Sequence, residues 1–185
     1  MVKLSAHLLV VLALFLASVH AQKAPIDFQE VLDNPDLLGE FEIRYVLSPA
    51  ALTQDWKREY LRVRGTRSAS LTTWSAEHPG SLAPVCRTTL SPADLRKLLE
   101  LFRDAHFVEL KDDSGLVFRE AAFRGWSTIV VRQEKARMKK LNYHLDSRPH
   151  PELEMLELAL DRIARGITAE NGARCDIEMV PSAPN

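Results

Sequence analysis

This sequence has no surplus of positive charge: 24 Lys and Arg stand against 25 Asp and Glu, a formal net charge of −1. Affinity for a phosphate backbone needs clustered, uncompensated cations, so nucleic acid is excluded as the expected partner. Glycine is scarce, with 7 scattered residues, and no run of them can build the backbone cradle of a phosphate loop. Cys86 and Cys175 are the only cysteines, and neither has a second Cys or His at the short spacing of zinc ligands. No two histidines stand at the His-Glu-x-x-His spacing, and there is no Gly-x-Ser-x-Gly elbow. Asp112-Asp113-Ser114-Gly115 resembles the start of a calcium loop, but Phe123 stands where the closing Glu is required. No metal and no cofactor are expected.

Apolar runs are also short. Crossing a bilayer takes about 20 residues, and the nearest approach is Leu8 to Ala17, preceded by Lys3 and followed by Val19-His20-Ala21. A cationic start, a short apolar stretch and small residues before a cut predict a signal peptide over residues 1–21. They imply a secreted or periplasmic protein with no stable membrane span after cleavage. Thiols oxidise there, so Cys86 and Cys175 are expected to form a disulfide. Residues 22–39, with the turn signal Asn34-Pro35, read as an N-terminal flank, 40–167 as a single domain, and 168–185 as a C-terminal tail.

Within that domain the apolar period changes from two to about 3.6 and back. Phe41, Ile43, Tyr45 and Leu47 alternate with Glu42 and Arg44, and Leu61 and Val63 with Arg62 and Arg64, as in strands with one wet face. Ser70 to Ser75 and Val85 to Leu90 are β-branched enough for two more. Ser91-Pro92-Ala93-Asp94 opens a helix: a capping hydroxyl, a proline at the first position and an acid at the positive end of the dipole. Leu95, Leu98, Leu99 and Phe102 form its core stripe. His106 falls at the helix end, and a brief strand is predicted over Phe107 to Leu110. Trp126 to His144 reads as a hairpin with a charged turn. A second helix follows Pro149 and Pro151, with Leu153, Leu156, Leu160 and Ile163 inward, Glu157 and Asp161 in water, and a stop at Gly166. The fold class is α+β: a mainly antiparallel sheet with two amphipathic helices packed on one face.

Two constellations carry chemistry. Arg44, Arg62, Arg64, Arg137 and Lys139 recur at alternating positions on three strands, with Trp74 and Tyr143 at the border. On one sheet face they would form a platform for an anionic ligand or an acidic protein, and replacing Arg62 and Arg64 by Ser is expected to spare stability. His144-Leu145-Asp146-Ser147-Arg148 holds the side-chain types of a hydrolase triad, which makes His144 and Asp146, with His78, the catalytic candidates. Triad members come from separate loops, however, and a strand end followed by a turn accounts for the run.

Leu-Ser-Pro-Ala-Asp-Leu-Arg-Lys-Leu-Leu-Glu-Leu-Phe from Leu90, the hairpin, and Pro-Glu-Leu-Glu-Met-Leu-Glu-Leu-Ala-Leu-Asp-Arg-Ile-Ala up to Ala164 resemble small secreted bacterial domains of unknown function. That resemblance implies a fold and a compartment and assigns no catalytic residue. The sequence thus points to a non-catalytic binding domain whose partner is an unidentified protein or anionic ligand. A small secreted hydrolase and a structural envelope protein are the rivals.

Overall fold

The computed structural model describes residues 25–49, 57–75, 82–112, 125–133, 137–144, 151–170 and 175–179. Seven strands form one antiparallel sheet in the order β6-β5-β1-β2-β3-β4-β7. They are β1 (Phe41–Pro49), β2 (Lys57–Arg64), β3 (Ser68–Ser75), β4 (Leu82–Thr89), β5 (Gly125–Gln133), β6 (Arg137–His144) and β7 (Cys175–Met179). Among the described residues they are accompanied by three α-helices, α1 (Phe28–Asp33), α2 (Pro92–Asp104) and α3 (Pro151–Glu170), and by a 3-10 helix over Pro35–Glu40. Among the described residues no helix is long and apolar enough to cross a membrane. The leader expected over residues 1–21 lies outside them.

Register sorts the side chains. Ile43 lies opposite Val63 and Val131, and Tyr45 opposite Leu61 and Ile129. With Leu71 and Leu141 these residues form one buried face, continuous with Leu95, Leu98 and Phe102 of α2 and Leu156, Leu160 and Ile167 of α3.

The helix starts follow from their caps. The Ser91 hydroxyl accepts from the Asp94 amide at 3.1 Å and donates to the Asp94 carboxylate at 2.6 Å, which satisfies an otherwise orphaned donor of α2. At the other end His106 adopts φ 47°, and the Phe107 amide donates back to the Phe102 carbonyl at 3.2 Å, a left-handed cap of the Schellman type.

Four expectations are corrected. The segment 22–39 is not external to the core: Ile26, Phe28, Val31 and Leu32 are all buried, and the Phe28 ring packs 5.5 Å from Phe102 and 5.9 Å from Phe41. Phe107 to Leu110 is a turn, because closing the α2 cap carries Phe107 beneath Phe102, with ring centroids 5.0 Å apart. Gly166 does not stop α3, since burying Ile167 in the core outweighs the roughly 1 kcal/mol that glycine costs a helix. Residues 168–185 are not all tail: α3 runs on to Glu170, and β7 pairs with β4. Cys86 and Cys175 are direct partners in that ladder, Cα atoms 4.3 Å apart, and are bridged by a disulfide.

Gly65, in the β2–β3 turn, is a position where only glycine fits. A Cβ there would stand 1.9 Å from the Leu38 carbonyl oxygen. That approach brings the Gly65 amide to the Phe41 carbonyl at 2.7 Å, fixing the end of β2 next to Glu42.

Candidate anion-binding face

A strand shows alternate residues to opposite faces, so Glu42 and Arg44 lie on the side of the sheet away from Ile43 and Tyr45. Arg62 is opposite Arg44, and Arg64 opposite Glu42. Two guanidiniums facing each other across a ladder repel. Here Glu42 resolves the conflict: one carboxylate oxygen accepts from Arg44 Nε and the other from Arg62 Nε, while Arg64 Nε stands 3.8 Å away. Glu42 is 8% exposed and the three arginines much more so. Burial alone would raise the Glu42 pKa, but the hydrogen bonds and charges of Arg44 and Arg62 outweigh it and hold the carboxyl below its ordinary value. The group is therefore ionised at neutral pH and anchors its cations.

Two further cations share this face. Arg132 is opposite Glu42 across β1 and β5, and Lys140 is opposite Val130, the partner of Arg44. Both are exposed. At the far side of the face Arg87 is engaged by Asp176 at 3.2 Å and by Glu178. Positive charge thus concentrates over β5, β1 and β2.

Of the five residues expected to form the platform, the structure gathers Arg44, Arg62 and Arg64 and separates Arg137 and Lys139. The latter pair with Gln133 and Val131, which belong to the core side. Arg137 reaches Glu30 of α1 at 3.3 Å, and Lys139 Nζ donates to the Leu110 carbonyl at 2.6 Å. One residue of register separates them from Lys140, and one residue is enough to invert a face. Tyr143 is likewise buried on the core side, and the Trp74 side chain lies outside the described residues. His144 is the last residue of β6; its side chain, Asp146 and His78 lie outside the described residues. Asp112 accepts from the Asn142 amide at 2.8 Å and so covers the outer edge of β6. Among the described residues no group of three or more His, Cys, Asp or Glu side chains could hold a metal.

Sequence reasoning missed a second polar cluster. Tyr143 donates to Glu157 at 2.6 Å, and Tyr45 stands near enough to Asp161, one turn further along α3, to be affected by its charge. Burial raises both tyrosine pKa values, and the neighbouring carboxylates raise them further. Burial also raises Glu157, against the hydrogen bond from Tyr143, and Asp161, against the charge of Arg165. Glu157 and Asp161 flank the Leu156 and Leu160 stripe, and an inward Tyr needs a partner for its hydroxyl. That requirement was the available signal.

Among known proteins, no family model and no curated protein matches the chain.

Proposed function

We propose that this is a secreted or periplasmic, non-catalytic binding domain whose polar sheet face takes an anionic group carried by a partner. Two amphipathic helices and the short α1 cover one face in this reading, and the exposed Arg64, Arg132 and Lys140 leave the β5–β1–β2 part of the other to that partner. The observation that carries it is the cluster around Glu42: one buried carboxylate pins Arg44 and Arg62, with Arg64, Arg132 and Lys140 exposed around it. Cations held in place lose less entropy on binding than free ones, and a planar guanidinium suits a carboxylate or phosphate. The leader-like start and the Cys86–Cys175 bridge support the compartment.

The test is titration of the protein with a fluorescein-labelled hexa-aspartate peptide, read by anisotropy. Saturable binding is expected to weaken with added salt and by about tenfold in the Arg64→Ser, Arg132→Ser, Lys140→Ser triple variant. Binding that the triple variant leaves intact refutes the site. Turnover of an ester, peptide or glycoside that His144→Ala abolishes would replace binding by catalysis. N-terminal sequencing of the exported protein is expected to begin at Gln22.

A further inference from the structure

An open cavity of about 280 Å³ lies between α2 and α3, close to the lower end of the size range of small-molecule sites. It shares no residue with the arginine face. Leu98 and Leu101 of α2 and Ile163 and Ile167 of α3 supply apolar walls. Lys97 and Arg162 enter the same lining, one from each helix, and neither makes an ion pair among the described residues. Asp94 is the acid of the lining, so two cations face one carboxylate and the cavity keeps a surplus of positive charge. The apolar surface continues outside. Met155 stands one helical turn before Ala159, which lines the cavity, and Met155 and Leu158 remain 56% and 48% exposed.

From Arg162 back to Met155 the track along α3 is about 10 Å long at 1.5 Å per residue. An occupant must therefore be long, thin and apolar, with a negative end. A small polar anion would leave the leucine and isoleucine walls unused. We propose that this wedge binds a single-chain fatty acid, its carboxylate held by Lys97 and Arg162 and its chain laid between Leu101 and Ile163 toward Met155. Charge complementarity selects the head, and the narrow apolar walls select the tail.

Calorimetric titration of the whole protein with decanoate, acetate and decyltrimethylammonium tests both halves. Decanoate is expected to bind saturably at one site, acetate not to saturate, and the cationic amphiphile to bind at least tenfold more weakly. Arg162→Glu, at an exposed position, and Ala159→Phe, which fills the wedge, are each expected to weaken decanoate at least tenfold while circular dichroism stays unchanged. Arg64→Ser is expected to leave decanoate binding intact, which separates this site from the sheet face. Equal affinity for the two decyl amphiphiles, no saturable decanoate binding, or full affinity in both folded wedge variants overturns the proposal. The comparison of ligands on the unaltered chain decides the matter even where a variant fails to fold.

Discussion

The Tyr143 hydroxyl donates to the Glu157 carboxylate at 2.6 Å, tying β6, the outermost strand on its side of the sheet, to the middle of α3. One turn on, the charge of Asp161 lies close to Tyr45. The helix is therefore oriented on the sheet by a directional contact as well as by the leucine stripe. The cost is that two acids are kept partly out of water and close to each other.

That cost has a sign. The Glu157 pKa is raised above 4.5 mainly by burial, with the Asp161 charge adding to it. Below pH 4.5 the group is protonated in both folded and unfolded chains. As pH rises through the folded value, the unfolded chain ionises freely and the fold is penalised, so stability is lost. Glu157→Gln, which still accepts from Tyr143, is expected to gain on the parent protein between pH 4 and pH 7 in urea unfolding. A gain that shrinks over that range would show the burial account to be wrong. Tyr143→Phe, which removes a hydrogen bond to a partly buried carboxylate, is expected to cost about 1–2 kcal/mol at pH 7.

Glu42 has the opposite sign. Its folded pKa lies below 4.5, burial being outweighed by Arg44 and Arg62, so its contribution is present above pH 4.5 and lost as pH falls through the folded value. Glu42→Gln is expected to destabilise by about 1–3 kcal/mol at pH 7, the scale of a charged hydrogen bond, and by progressively less toward pH 3. Arg62→Ser leaves Glu42 buried with one close partner and should cost a similar amount. The expectation that Arg62 and Arg64 can be replaced without loss is thereby corrected for Arg62. Arg64→Ser, half exposed and 3.8 Å away, should stay within about 0.5 kcal/mol. Thermal melts of the three variants at pH 7 and pH 3.5 separate these cases.

Local signals were legible in the sequence where one residue's chemistry decides the outcome. Ser91 and Pro92 start α2, alternation from Phe41 to Leu47 gives β1, and the charged turn gives the β5–β6 hairpin. What stayed hidden depends on partners distant in the chain. Phe28 looks like part of a flank until Phe41 and Phe102 surround it. Cys175-Asp-Ile-Glu-Met alternates as a strand does, yet five residues form one only against β4. For the arginine face, composition named the residue types, but parity along β6 decided that Lys140, and not Arg137 or Lys139, joins Arg44. In the sequence Glu42 is one more charge on a wet strand face, because nothing local shows that arginines from two strands close over it.

The disulfide bears on β7 most of all. Among the described residues that strand pairs only with β4, and Ile177 and Met179 are largely exposed, so apolar burial does little to hold it. The bridge spans a sequence separation of 89, for which loop-closure entropy gives about 4–5 kcal/mol. Replacing both Cys86 and Cys175 by Ser is expected to lower stability by up to that amount. It should also raise amide exchange over 175–179 well before that of β1 and β2. Uniform exchange across the sheet would mean that β7 docks by itself.

Gln133 sits fully buried at the end of β5, opposite Phe41, and neither of its side-chain polar atoms has a hydrogen-bond partner among the described residues. An amide taken out of water without compensation costs about 1–3 kcal/mol. Methionine has nearly the same length and volume, fills irregular space and carries no strong donor or acceptor. Gln133→Met is therefore expected to stabilise the protein by about 1–2 kcal/mol, seen as a higher urea midpoint at unchanged slope. Gln133→Ala, which removes the same unsatisfied groups but opens a cavity, should forfeit that gain. If the methionine variant is instead less stable than the parent protein, Gln133 has a partner whose loss exceeds the gain, and a polar contact at the end of β5 becomes the feature to locate.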